Sequence, residues 1–265
     1  MSENLVAVII GIVEGVTEYL PVSSTGHMIL VGNLLGFEGE KASVFEVFIQ
    51  LGAILSVLFL YRDTFSRMFK PRKLSIYGNG LTFKHILAGI MPVMGVGYLL
   101  HKNIKALFSP GVVIVGLILG AILMLVAEKM AKRPSVTNVD KITLSQAFCI
   151  GLFQLLALWP GFSRSGSTIS GGLFLGISRA VAAEFSFIIA VPLMTVACLY
   201  DLLKVWDKLN MADIQMFAIG FFVSFLVAYI SVVWFIKFLN KSTLASFAYY
   251  RFILAFVSYY YFFKI

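Results

Sequence analysis

The apolar residues of this chain are grouped in long runs separated by short polar segments. Six runs are long enough to cross a bilayer as helices, because about 20 helical residues cover the roughly 30 Å of hydrocarbon. They are residues 45–61, 86–101, 111–128, 183–201, 214–236 and 244–263. The pattern therefore predicts six transmembrane helices, of which 86–101 is the shortest.

Two further apolar regions, residues 4–36 and 143–177, are interrupted in the middle. The helical pattern stops at Pro21 in the first and at Trp159-Pro160-Gly161 in the second. The segment after Pro21 has about 14 apolar residues, or about 21 Å of helix, which is too short to span the bilayer. Each region is predicted to be a re-entrant helix hairpin, with its broken backbone buried in protein or facing a wet cavity.

The basic residues test this topology. With six spans and two hairpins, 13 of the 21 Lys and Arg residues fall on the side of the loop 62–85. Six fall on the opposite side: Lys41, Lys102, Lys105, Lys204, Lys208 and Lys264. Arg164 and Arg251 lie inside apolar segments. The bias predicts that the loop 62–85 is cytoplasmic and that both termini lie outside.

Composition agrees with a membrane protein. The chain of 265 residues is 60% hydrophobic and 13% charged, about half the charge of soluble proteins. This excludes a water-soluble enzyme, a disordered chain and a disulfide scaffold. The net charge of +8 is explained by membrane orientation, so no nucleic-acid partner is expected.

The two broken regions also resemble each other. Residues 11–26 align with residues 151–166 at an offset of 140, with a one-residue slip at the proline. Three predicted spans separate the copies, so the copies should have opposite orientations. The prediction is an all-α polytopic membrane protein with an inverted-topology repeat. It forms one domain, 1–265, with repeats at about 1–128 and 129–265, and its site lies where the hairpin tips meet.

The first tip concentrates polar chemistry. Glu14 and Glu18 are four residues apart and share one helix face, where carboxylates are costly unless paired, hydrated or bound to a cation. A turn rich in hydroxyl groups follows and begins the next helix, an arrangement that favours anions. It contains Ser23, Ser24, Thr25 and His27. The alternative is a polar face that lines a wet cavity without chemistry.

The second tip carries a cation instead. Arg164 lies among hydroxyl residues, and the guanidinium fork suits phosphate. Those neighbours are Ser163, Ser165 and Thr168. A structural salt bridge from Arg164 to Glu14 or Glu18 is the alternative, and it is compatible with function. One tip thus supplies carboxylates and an imidazole and the other a cation, which suits a phosphate, an activated nucleophile and a candidate divalent metal in one pocket.

These motifs carry a family resemblance. Glu14-x-x-x-Glu18, Pro21-Val-Ser-Ser-Thr-Gly-His27 and Leu158-Trp-Pro-Gly-Phe-Ser-Arg164-Ser-Gly-Ser-Thr168 closely resemble the bacterial undecaprenyl-diphosphatase family, also called the bacitracin-resistance family. The resemblance covers essentially the whole chain. It implies a multi-pass phosphatase of the bacterial inner membrane that converts undecaprenyl diphosphate to undecaprenyl phosphate and inorganic phosphate. Such an enzyme recycles the carrier lipid for peptidoglycan synthesis and protects against bacitracin.

The resemblance also implies roles for individual residues. Glu14 and Glu18 resemble the metal-binding or acid–base carboxylates, with Mg²⁺ or Ca²⁺ as the expected cation. Ser24 resembles the nucleophile and His27 a proton-transfer group, while attack by water, and Glu18 or His27 as the base, both stay open. The expected phosphate-binding residues are Ser23, Thr25, Ser163, Arg164, Ser165 and Thr168. The pocket is expected to open to the periplasmic or outer face.

A second class of function fits the same pattern. Inverted repeats with broken helices are also a transporter architecture, so a transporter or flippase of an anionic polyprenyl lipid is the alternative. A purely structural scaffold would leave Glu14, Glu18 and Arg164 unexplained. The sequence leaves open whether the protein is a monomer or a homodimer.

Overall fold

A computed structural model describes residues 1–68, 80–100, 103–104, 107–204 and 213–264. In these ranges the regular structure is helical, apart from one isolated bridge between Val136 and Ile177. Residues 69–79 of the predicted basic loop lie outside the described residues, as do Lys102, Lys105 and Lys208. The α-helices are α1 (Glu3–Thr17), α2 (Ser24–Leu34), α3 (Glu40–Leu60), α4 (Arg62–Met68), α5 (Phe83–Leu99), α6 (Pro110–Met130), α7 (Leu144–Gln154), α8 (Arg164–Phe174), α9 (Arg179–Lys204), α10 (Ile214–Leu239) and α11 (Ala245–Lys264).

Each predicted span coincides with a helix, which confirms a polytopic all-α membrane protein. Among the described residues, α3, α6, α9 and α10 are long and apolar enough to cross a membrane. Helix α5 has 17 residues, about 25 Å, which is shorter than the hydrocarbon layer. Helix α11 has 20 residues but carries Arg251 and five tyrosines. Complete crossing by these two helices stays a prediction.

Both predicted helix breaks are confirmed. Helix α1 ends at Thr17, and helical geometry continues through Glu18, whose N–H donates to the carbonyl oxygen of Glu14 at 2.9 Å. After α7 the chain makes a 3₁₀ turn, Leu155–Leu158, before the second break. New helices begin at Ser24 and Arg164. Each break therefore places a polar turn between two short helices.

Each hairpin packs against a helix that belongs to the other half of the chain. Helix α1 lies along α10, and α7 lies along α5. Both contacts need a glycine, because a Cβ on Gly11 would lie 2.8 Å from the carbonyl oxygen of Gly220 and one on Gly151 would lie 2.6 Å from that of Gly89. The close backbone approach at these two aligned positions anchors each hairpin.

Helix α9 forms the centre of the bundle. Of its most apolar stretch 61% is buried, against 39–44% for the other three long apolar helices. It packs against α3, α8 and α5, and its Phe185 and Phe187 are fully buried. In contrast, Phe222 and Ile230 on α10 and Phe256 on α11 are exposed, as expected for side chains that face lipid. Arg164, at the second hairpin tip, contacts Ser186 of α9, so the tip lies beside the most buried of the four long apolar helices.

Candidate active site

The two polar turns have matching backbones. Ser23 and Ser163 both adopt a positive φ, 71° and 76°, which is uncommon for residues other than glycine. Each caps the helix that follows: Ser23 Oγ accepts from the Gly26 N–H at 3.3 Å and Ser163 Oγ from the Gly166 N–H at 3.2 Å. These caps aim the first turns of α2 and α8 toward a common space.

Glu18 links the two turns. Its Oε2 accepts a hydrogen bond from Ser24 Oγ at 2.8 Å, and its Oε1 pairs with Arg164 Nη2 at 3.2 Å. Both charged side chains are largely shielded, since that of Arg164 is 12% and that of Glu18 7% exposed. The predicted convergence of a carboxylate, a serine and a guanidinium is therefore present in the structure.

Arg164 is held by groups around it. Its Nη1 donates to the carbonyl oxygen of Ser186 at 3.2 Å, and its guanidinium carbon lies 5.4 Å from the ring centre of Tyr19. The Ser186 hydroxyl is in turn bonded to Thr168 Oγ1 at 2.6 Å. These contacts fix the orientation of the guanidinium before any ligand arrives.

A cavity of about 280 Å³ opens where the turns meet. A water molecule takes about 30 Å³ of liquid, so the cavity has room for a hydrated anion. Its lining includes Glu18, Ser23, Ser24, Thr25, Gln50, Phe108, Trp159, Ser163 and Arg164. Acidic, hydroxyl and cationic groups thus face one shared space.

An apolar groove of about 500 Å³ adjoins this cavity. It runs between α5 and α9, where Val93, Met94, Leu193 and Val196 line it. Both spaces share Ala157, Leu158, Arg164, Met194 and Ala197. The continuous surface suits a ligand with a charged head and a long apolar tail.

Three residues that were predicted to bind phosphate or to transfer protons do not line the cavity. Ser165 Oγ donates to the carbonyl oxygen of Leu20 at 3.0 Å and so joins the two tips. Thr168 faces Ser186, away from the cavity lining. His27 has both ring nitrogens in contacts, Nδ1 with the carbonyl oxygen of Ser23 at 2.8 Å and Nε2 with the Tyr250 hydroxyl at 2.6 Å. Because the carbonyl can only accept, Nδ1 carries hydrogen and Nε2 accepts from Tyr250 when the ring is neutral.

Glu14 lies behind Glu18 rather than in the cavity lining. It is 2% exposed, and its Oε1 has no hydrogen-bond partner among the described residues. Its polar neighbours are Glu18, Gln50 and Glu46. A buried carboxylate oxygen without a partner is a candidate metal ligand, because Mg²⁺ and Ca²⁺ prefer oxygen donors.

The donor set fits a cation that is shared with a ligand. The described residues contain no cluster of three or more His, Cys, Asp or Glu residues that would hold a metal by themselves. Mg²⁺ is commonly held by one or two carboxylates together with substrate phosphates and water. Glu14 and Glu18 fit that arrangement.

Two residues of the site were not predicted from the sequence. Gln50 lines the cavity and accepts from the Cys198 thiol at 3.1 Å, while Ser186 holds Arg164. Both are polar residues inside otherwise apolar spans, and this was the signal that could have found them. They follow Glu46 and Glu184, which occupy similar places in the two halves.

The chain is similar to known proteins over almost its whole length. The family described as bacitracin resistance protein BacA matches residues 7–257. Proteins named undecaprenyl-diphosphatase 1 from Bacillus cereus, Bacillus thuringiensis (strain Al Hakam) and Bacillus anthracis are each 50% identical over 256 residues, covering 96% of this chain and 97% of the relative. A match of this extent establishes membership: the chain belongs to the bacitracin resistance protein BacA family.

Proposed function

We propose that this protein is a membrane phosphatase that hydrolyses undecaprenyl diphosphate to undecaprenyl phosphate and inorganic phosphate. The observation that carries the proposal is the contact of Glu18 with both Ser24 and Arg164 at the wall of a cavity that continues into an apolar groove. The names of the 50%-identical relatives point to the same substrate. Family membership also fits a role in bacitracin resistance.

The geometry favours Ser24 as the attacking group. Its hydroxyl donates to Glu18, so the carboxylate is placed to take the proton as Oγ attacks the terminal phosphorus. The new O–P bond forms while the bond to the bridging oxygen breaks, and undecaprenyl phosphate leaves. Water then releases phosphate from the serine, with Glu18 returning its proton to Oγ. In the alternative, Glu18 activates a water that attacks directly.

Arg164 would neutralise charge on the transferred phosphoryl group. Phosphoryl transfer depends mostly on positioning and on stabilising charge spread over the equatorial oxygens. When substrate enters, the guanidinium can exchange its contact with Glu18 for phosphate oxygens. The carbonyl oxygen of Ser186 and the ring of Tyr19 keep it at the cavity wall. Ser23, Thr25 and Ser163 supply further polar groups.

A divalent cation would be held by Glu14 and Glu18 together with the diphosphate. Bound there, it would polarise the phosphoryl oxygens and offset their charge. His27 is better suited to position the turn than to transfer protons, because its Nδ1 holds the carbonyl oxygen of Ser23 and its Nε2 is engaged by Tyr250.

We further propose two oppositely oriented repeats, 1–128 and 129–265, with the cavity opening to the outer face of the inner membrane. Support for the repeats comes from the matching serine caps at Ser23 and Ser163. It also comes from the packing of each hairpin against a helix of the other half of the chain. Support for the orientation comes from Ile104 and Phe108, which line the cavity. They lie in a connection predicted to be opposite to the basic loop 62–85.

A detergent-solubilised assay tests the function. The purified protein is given undecaprenyl diphosphate with Mg²⁺ or Ca²⁺, and inorganic phosphate is measured. Release of phosphate without a membrane gradient, lost on chelation of the cation, is the expected result. No release by folded protein with either cation would favour the alternative, a transporter or flippase, which the same protein in lipid vesicles would then reveal.

A further inference from the structure

We propose that Arg251 of α11 is a positioning residue, which holds the two catalytic turns in register by binding main-chain carbonyl groups of both. The inference rests on the proposed function, since it states how the residues of that site are kept together. Arg251 does not line the cavity, and its hydrogen bonds go to main-chain carbonyl groups and to Met124, not to the side chains assigned to the reaction.

The guanidinium is completely buried and makes contacts with all of its nitrogens. Nε donates to the carbonyl oxygen of Leu117 at 3.1 Å, and Nη2 donates to those of Gly116 at 3.0 Å and Gly161 at 2.9 Å. Nη1 donates to the carbonyl oxygen of Pro21 at 3.4 Å. It also lies 3.9 Å from Met124 Sδ. Five contacts thus match the five N–H donors of arginine.

These carbonyl groups belong to three separate parts of the chain. Pro21 lies between Glu18 and Ser24 in the first turn, and Gly161 precedes Arg164 in the second. Gly116 and Leu117 belong to α6. One side chain therefore joins both turns to a long helix that packs against α11.

The backbone of α6 leaves room for this arrangement. A Cβ on Gly120 would lie 2.3 Å from Arg251 Nη2 and 2.4 Å from the carbonyl oxygen of Phe162. Any side chain at Gly120 would therefore push the guanidinium or the second turn out of place. A Cβ on Gly111, on the same helix, would lie 3.6 Å from the ring of Phe263, which is an ordinary van der Waals contact.

A contribution to the stability of the fold does not by itself explain why a cation is buried at Arg251. No ion pair joins Arg251 to a carboxylate in the described part of the chain. A buried charge is costly, and apolar residues of similar volume often stabilise a core as well or better. What the guanidinium offers is a planar set of donors that reaches several carbonyl groups at once, and a lysine ammonium cannot reproduce it.

The experiment compares Arg251→Lys with Arg179→Lys in detergent. Arg179 is a control because it is also an arginine that binds α6, through Glu128, but lines neither the cavity nor the groove. For folded Arg251→Lys we expect kcat to fall about 10- to 100-fold, since small misplacement of catalytic groups is enough for such a loss. KM should change far less, and Arg179→Lys should keep the wild-type kcat.

A second pair of variants consists of Gly120→Ala, which should displace the Arg251 guanidinium without removing it, and its control, Gly111→Ala. Gly120→Ala should lower kcat in the same way, whereas Gly111→Ala should not. Wild-type kcat in folded Arg251→Lys or folded Gly120→Ala would overturn the proposal. Failure of both variants to fold, with both controls folded, would also overturn it, because Arg251 would then be a structural residue of the bundle.

A readout without substrate separates this inference from the proposed function. Trp159 lies in the second turn, and its Nε1 donates to the carbonyl oxygen of Val112 at 3.0 Å. With Trp206 and Trp234 replaced by phenylalanine, acrylamide should quench Trp159 more readily after Arg251→Lys than after Arg179→Lys. Equal quenching would contradict the positioning role. Absence of wild-type turnover would instead contradict the phosphatase assignment and leave the quenching test intact.

Discussion

The turn before α2 and the turn before α8 begin their helices in the same way. In each, a serine with a positive φ accepts a hydrogen bond from the N–H of a glycine three residues later. The residue after that serine is Ser24 in the first turn and Arg164 in the second. Glu18 of the first hairpin contacts both.

The two turns therefore share a backbone conformation but differ in the chemistry of the side chain that it presents. The shared backbone places the first helical residue of each turn at the cavity, whatever its side chain. One position then carries a hydroxyl group and the other a cation, so the pair can serve two roles in one reaction. A symmetric pair of serines or of arginines would supply only one of them.

Removing the hydroxyl of Ser24 should have the largest effect. If Ser24 attacks phosphorus, Ser24→Ala should lower kcat by about 10⁴-fold or more, as loss of a nucleophile does in other hydrolases. Phosphate release from undecaprenyl diphosphate measures it. Ser258→Ala is the control, because the buried Ser258 hydroxyl has no hydrogen-bond partner among the described residues. Substantial residual turnover in Ser24→Ala would mean that water attacks.

Removing the carboxylate shared by the two turns should rank next. Glu18→Gln keeps the shape but cannot take a proton, and general-base catalysis contributes about 10²- to 10⁴-fold. We expect a loss of that size in kcat, measured in the same assay. Unchanged turnover would exclude Glu18 as the base and as a metal ligand.

Changing the cation of the second turn should cost somewhat less. Arg164→Lys keeps the charge but loses the fork, and removing one stabilising donor typically costs about 10²- to 10³-fold in kcat. The variant should fold normally, with a thermal midpoint in detergent near that of the wild type. Turnover close to that of Arg179→Lys would mean that Arg164 is only a structural partner of Glu18.

Removing the serine cap of either turn should have the smallest effect, and this effect is on the free energy of unfolding. Ser163→Ala removes the cap of α8 and should lower the free energy of unfolding by about 1 kcal/mol, whereas Ser163→Gly should cost a few tenths. Glycine also tolerates the positive φ that alanine does not. Thermal unfolding in detergent measures both, and Ser23 offers the same pair of variants in the first turn. A larger loss for glycine than for alanine would contradict the capping role.

Much of this arrangement could be predicted from the sequence. The apolar runs indicated the helices, Pro21 and Pro160 indicated the breaks, and the charges inside apolar segments identified Glu18 and Arg164. These are local signals. Hydrogen bonds between residues far apart in the chain give no such local signal. His27, for example, does not line the cavity, and its Nε2 is engaged by Tyr250, 223 residues later.

The same limit explains the residues that were missed. Gln50 and Ser186 matter only because their helices place them next to the cavity and next to Arg164. No role can be predicted for Arg251 from the sequence, since nothing in it reveals that Pro21, Gly116 and Gly161 present their carbonyl groups to one point. Such contacts depend on how helix faces meet in three dimensions.

A structure determined with orthovanadate and Mg²⁺ would test the convergence of the two turns most directly. We expect vanadate in the polar cavity, with Ser24 Oγ or an attacking water on one side and the Arg164 guanidinium on its equatorial oxygens. Vanadate bound at a site that touches only one turn, or outside this cavity, would contradict it.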